Sequence, residues 1–193
     1  MNVIGREKWG PKAWHMLHAF SIDDSSEITP LLKHKYYIFY TSFLYVIPCL
    51  ICKEHYSEIL FNILPIKEEK ITRKYIEHWV FNAHNIVNVL LKKKYYTFNK
   101  CIKDNSKPNN YDIMVFIKAV YLGFDYENMC LYNFDQIYNF FINFCRLYPS
   151  KKIKRTLKKF INKDDFKSIC TPNELKIWFY ENQDLWTLFL DNK

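Results

Sequence analysis

Three glycines in 193 residues (Gly5, Gly10 and Gly123) restrict this chain more than any other feature of its sequence. A phosphate-cradling loop or a dinucleotide fingerprint needs grouped glycines, so that backbone can approach phosphate closely. None of the three are grouped. Sandwiches and barrels need many tight turns, which so little glycine does not supply. An all-α chain remains. Apolar residues make up 49% of it and aromatic residues 19%, enough for a core and incompatible with a disordered chain.

Helical periodicity supports that class. Residues from about Lys8 to Phe20 place Trp14, Leu17 and His18 on one face, and Leu31 to Val46 forms an aromatic-rich second helix. Pro48 interrupts, and a helix restarts at Cys49, since proline is tolerated at a helix start and not in its interior. Ile76, Val80, Ala83, Val87, Leu90 and Leu91 describe a long amphipathic helix opening at Thr72. Asn99 to Asn110 is rich in Asn, Asp, Lys and Ser and reads as a linker. Further helices are expected over 112–121, 134–147, 151–162 and 172–190. The expected division is residues 1–100 and 101–193.

No apolar signal segment follows Met1. Tyr36 to Cys52 lacks charge, but it is short for a membrane span and broken by Pro48. The net charge of +8 comes mainly from lysine in an Ile-, Asn-, Tyr- and Phe-rich chain. It reads as a compositional habit rather than a nucleic-acid signal.

Three groups of residues carry chemistry. In Pro48-Cys49-Leu50-Ile51-Cys52, two thiols at a helix start can close a disulfide across the first turn, and the helix N-terminus stabilises a thiolate there. Two buried cysteines, or half of a zinc site completed by two of His55, His78 and His84, are the other readings. In His84-Asn85-Ile86-Val87-Asn88, polar side chains interrupt an apolar helix and need partners, either a polar ligand or each other. Trp14 and His18 stand one helical turn apart and present flat rings on one face.

In order these groups read W-G-x-x-x-W-x-x-L-H, P-C-x-x-C-x-x-H and W-x-x-x-x-H-N-x-V-N-x-x-L-x-K. This resembles the Erv/ALR-type FAD-linked sulfhydryl oxidases, most of all those encoded by large DNA viruses, over residues 5 to 97. The resemblance implies a four-helix bundle with a short fifth helix, here followed by an additional C-terminal helical region. It implies FAD lined by Gly10, Trp14, His18, His55, Trp79, His84, Asn85, Val87, Asn88 and Lys93. It implies Cys49 as the outer thiol that meets protein dithiol substrates, Cys52 as the thiol next to the flavin, and oxygen as final acceptor. A homodimer, and a place in the host cytoplasm at virus assembly or in the virion, come with it. Neither a metal, a nucleic acid nor a membrane span is expected.

Pro11 stands where many members carry arginine. Cys101 falls late for the family's structural cysteine and has no partner at the usual distance. Cys101, Cys130, Cys145 and Cys170 are either a shuttle or buried thiols. Ile153, Leu157, Phe160 and Ile161 share a face of the basic segment 151–160, so its lysines read as a solvated side. A zinc-stabilised module that binds nucleic acid through this half, and an inactive relative retained for interaction, are the alternatives.

Overall fold

The computed structural model describes residues 4–22, 28–105, 107–123, 133–161 and 164–182, with the side chains of 159–161, 164 and 165 excepted. Among them there is no strand. The first part comprises α1 (Arg6–Ser21), α2 (Pro30–Val46), α3 (Leu50–Glu58, running on into a π turn at Ile59–Ile63), α4 (Arg73–Leu90) and the short α5 (Phe98–Asn105). The second comprises α6 (Asn110–Gly123), α7 (Phe134–Leu147), α8 (Lys151–Ile161), α9 (Asp164–Lys167) and α10 (Pro172–Glu181). This is the all-α bundle with additional helices that the sequence predicts.

Side-chain caps start several helices where the sequence places them. Thr29 accepts from the Leu32 N–H (3.3 Å) ahead of Pro30, and Thr72 from the Tyr75 N–H (3.1 Å). Asn133 accepts from the Gln136 N–H (3.1 Å). At α10, Thr171 and Glu174 form a reciprocal capping box. α1 runs through Pro11 unbroken. The expected linker is different: α5 occupies most of it. Its polar residues are the outer face of a helix whose inner face buries Cys101 and Asn105, a one-sidedness that composition alone hides. Residues 162 and 183–190, expected to be helical, lie outside the described residues.

α2 and α7 pack along their length, α1 is held between α4 and α6, and α8 and α10 cover α7 and α6. One continuous core joins both parts. Its seam is phenylalanine: Phe39 stacks on Phe20 at 5.1 Å and on Phe140 at 5.3 Å, and Phe43 meets Phe116 at 5.6 Å. Residue 100 falls inside α5. At the far end of α6, Gly123 lies so close to Pro48 that a β-carbon there would come within 2.5 Å of the proline ring. Among the described residues no helix is long and apolar enough to cross a membrane.

Candidate functional site

Cys49 caps α3, and its sulfur accepts the Cys52 N–H at 3.3 Å. The two form a disulfide with Cα atoms 5.2 Å apart. Both are half-buried, whereas Leu50 and Ile51 between them are exposed. Cys52, but not Cys49, lines a cavity of about 530 Å³, within the size range of small-molecule sites.

The cavity is walled by α1, α3 and α4. Gly10, Trp14, His55, His84, Val87, Asn88 and Lys93 all line it. The chain's turn out of α4 places Lys93. Lys92 adopts a left-handed φ of 54°, the Lys93 N–H reaches the Asn88 carbonyl at 2.7 Å, and the Lys92 N–H reaches that of Val89 at 3.0 Å. That pair of bonds is a Schellman closure. It turns Lys93 back to the cavity beside His84.

Three other expected residues stand behind the wall. Trp79 donates its indole N–H to the Leu64 carbonyl (2.8 Å) and backs Tyr40 and Tyr56, the latter a cavity residue. Asn85 clamps the backbone of Tyr96 in both directions, donating to its carbonyl (2.9 Å) and accepting from its N–H (2.7 Å). Thus the polar stripe of α4 divides: His84 and Asn88 face the cavity, and Asn85 fastens the chain that closes it. His18 is buried beneath His84, with Nε2 2.9 Å from His84 Nδ1 and Cys101 Sγ 3.3 Å from Nδ1. Trp14 stacks flat on His84, centroids 4.5 Å apart, and lies tilted 41° to His18. No planar group fits between Trp14 and His84, so a ring bound here meets their outer surfaces.

Burial, with smaller contributions from neighbouring His84 and His15, lowers the His18 pKa to about 3. Burial, aided by Lys93, lowers that of His84 to about 4. Burial, and then Asp104, pushes the Cys101 thiol up to about 12. All three are therefore neutral at pH 7. Arg6 and Lys93 also stand on the cavity wall.

Residues that the sequence did not single out also line it: Arg6, His15, Tyr56, Tyr96 and Asn105. His15 bonds Asp112 on α6 at 2.9 Å, and Lys12 pairs with the same carboxylate at 2.5 Å. Burial raises the Asp112 pKa, but the bonds from Lys12 and His15 outweigh it, and the carboxyl is held below its usual value. Partners so far apart in the chain leave no local signal. Among the described residues no group of three or more His, Cys, Asp or Glu side chains is placed to hold a metal ion. His78 is stacked on Phe98 instead (4.3 Å).

The model of the Erv1/Alr family matches residues 11–107, a segment holding every cavity residue from Pro11 onward. The chain belongs to the Erv1/Alr family. It is similar to a probable FAD-linked sulfhydryl oxidase of Acanthamoeba polyphaga mimivirus, 33% identical over 98 residues that cover 50% of this chain and 68% of the relative. It is also similar to an FAD-linked sulfhydryl oxidase of African swine fever virus, 35% identical over 89 residues that cover 45% of this chain and 70% of the relative. No solved structure matches it. In this Erv1/Alr chain, α6 to α10 lie beyond the matched segment.

Proposed function

We propose that the chain is an FAD-linked sulfhydryl oxidase that makes disulfide bonds in substrate proteins. The observation that carries this is the position of Cys52, one half of a disulfide, on the wall of the cavity shared by Trp14, His84, Asn88 and Lys93. The cavity's residues fit the cofactor: flat indole and imidazole surfaces for its ring systems, the Asn88 amide for their polar edges, and Arg6 and Lys93 for its pyrophosphate. When bound, FAD supplies a two-electron acceptor that is reoxidised by oxygen to give hydrogen peroxide.

The chain's own residues carry the dithiol exchange. A substrate thiolate attacks Cys49 Sγ, which is kept off the cavity wall, and the Cys49–Cys52 bond breaks to leave Cys52 as thiolate. The second substrate thiolate then attacks the substrate sulfur of the mixed disulfide. Substrate leaves oxidised, and Cys49 departs as a thiolate favoured by the Cys52 N–H at the start of α3. Cys49 and Cys52 have together gained two electrons. His84, neutral at pH 7, adds no charge to a wall that also carries Arg6 and Lys93.

The same reading takes residues 1–100 as the cofactor unit, followed by the extension 101–193. It expects a homodimer and action at virus assembly or in the virion. The viral relatives support the latter, and sedimentation of the full chain tests the former. The first experiment is the visible spectrum of the purified chain before and after dithiothreitol in air. A flavin band near roughly 450 nm, with oxygen consumed when dithiol is added, is the expected result. Cys52→Ser keeps the band and loses turnover. A colourless chain that FAD fails to restore, or an active Cys52→Ser variant, overturns the reading.

A further inference from the structure

Cys101 is a buried thiol that the dithiol exchange does not use. It is fully buried, and its sulfur lies 3.3 Å from His18 Nδ1. Asn105 offers its amide N–H to the Cys101 carbonyl at 2.8 Å and reaches the sulfur at 4.0 Å, so it is a donor there, while the nearby Asp104 carboxylate accepts from the Tyr96 hydroxyl at 2.7 Å. A thiol that stays protonated has an S–H to place, and of the two His18 ring nitrogens Nδ1 is nearer the sulfur, at 3.3 Å against 3.6 Å for Nε2, which faces His84 instead. His18 then carries its proton on Nε2, 2.9 Å from His84 Nδ1. Both rings being neutral, His84 Nδ1 accepts, and its remaining proton sits on Nε2.

We propose that Cys101 is a positioning residue: through the chain Cys101 S–H to His18 to His84 it fixes the tautomer of His84, so that a hydrogen-bond donor faces the cavity. The consequence is a specificity for ligands with an acceptor against the His84 edge, such as the ring nitrogens and carbonyls of a flavin or an adenine. Deep burial holds both imidazoles neutral across the physiological range, which keeps each ring to a single proton and makes the order of the chain decisive. Trp14, stacked on His84, keeps the ring plane from turning.

This rests on the cavity being the flavin site only for its final step, and the two separate experimentally. The imidazole ¹⁵N shifts of His18 and His84 in the full-length chain at pH 7 report the tautomers with or without flavin. Nδ1 unprotonated and Nε2 protonated in both rings is the expected result. Cys101→Ser, whose hydroxyl also donates, retains that pattern. Cys101→Ala loses the fixed tautomers and binds FAD about tenfold more weakly, the scale of one lost hydrogen bond. A protonated Nδ1 on His84, or a Cys101→Ala variant with unchanged tautomers and FAD affinity, overturns the proposal. The expected tautomers in a chain that takes up no flavin would uphold the relay and overturn the flavin reading alone.

Discussion

The two parts of the molecule bury different things. In α1 to α5 the buried side chains include His18, Ser21, Ser42, Asn85, Asn88 and Asn105, of which Asn88 and Asn105 line the cavity. In α6 to α10 the core is made of rings such as Phe116, Phe140, Phe144, Tyr148 and Phe179. Among the described residues Asn143 is its one buried polar residue, and the indole N–H of Trp178 has no hydrogen-bond partner there. The first part meets the cost of burying imidazoles and amides with partners inside the chain, and it carries the cavity. The second part buries phenylalanine against phenylalanine. The two meet at the α2–α7 seam, at the Asp112 clasp on His15 and Lys12, and where Gly123 lies against Pro48.

The largest test of this contrast is Phe140→Ala. Its ring touches Phe39 and Phe43 of α2 and Phe141 and Phe144 of its own helix, and it is fully buried. Loss of about 3–5 kcal/mol is expected from such a truncation. The urea transition of the whole chain should move as a unit. If the cavity-bearing part melts at an unchanged midpoint while the extension melts early, the two parts share no core and the comparison fails.

A second effect belongs to the first part alone. His18 and His84 have folded-state pKa values lowered to about 3 and about 4 from an ordinary 6.5. The unfolded chain therefore takes up protons first as pH falls. Stability is full above about pH 6.5 and declines toward pH 4, at up to about 1.4 kcal/mol per pH unit for each histidine. Asp112, whose carboxyl is held low, adds its loss only below the usual carboxylate range. Urea midpoints measured between pH 7 and pH 4 check this. A flat profile would mean that the two rings are solvated and the buried polar cluster does not exist.

The smallest effect sits at the rim of the cavity. Lys92 holds a left-handed φ with a β-carbon to accommodate, and Lys92→Gly removes that strain while adding unfolded-state freedom. A net gain below about 1 kcal/mol is expected, read as a modest rise in Tm. A fall would mean that the Lys92 side chain, and not the turn it makes, holds Lys93 in place.

What the sequence makes legible is what lies close together in the chain. Thr72 marks a helix start because a cap bonds only two or three residues ahead, as Asn133 and Thr171 also do in the structure. The CxxC turn and the His84–Asn88 stripe are recognisable because their spacing is one helical turn. α5 is legible only as the short fifth helix that the family resemblance implies, because a short helix with a polar outer face has the composition of a loop. The contacts of His15 with Asp112 and of Cys101 with His18, 97 and 83 residues apart, are not legible, since no periodicity links them. Asn85 shows the intermediate case. The need of its amide for partners follows from its neighbours, but the backbone of Tyr96 that meets the need does not.

The α2–α7 seam has a consequence for how the protein is made. α2 begins at Pro30 and α7 at Phe134, so at roughly 5–20 residues per second α7 leaves the ribosome on the order of 5–20 s after α2. Throughout that interval Phe39 and Phe43 belong to a nascent helix whose partner does not yet exist. The cavity-bearing part completes its core only when the covering part has emerged. The speed of elongation between them, and whatever shields α2 meanwhile, governs the yield of folded chain.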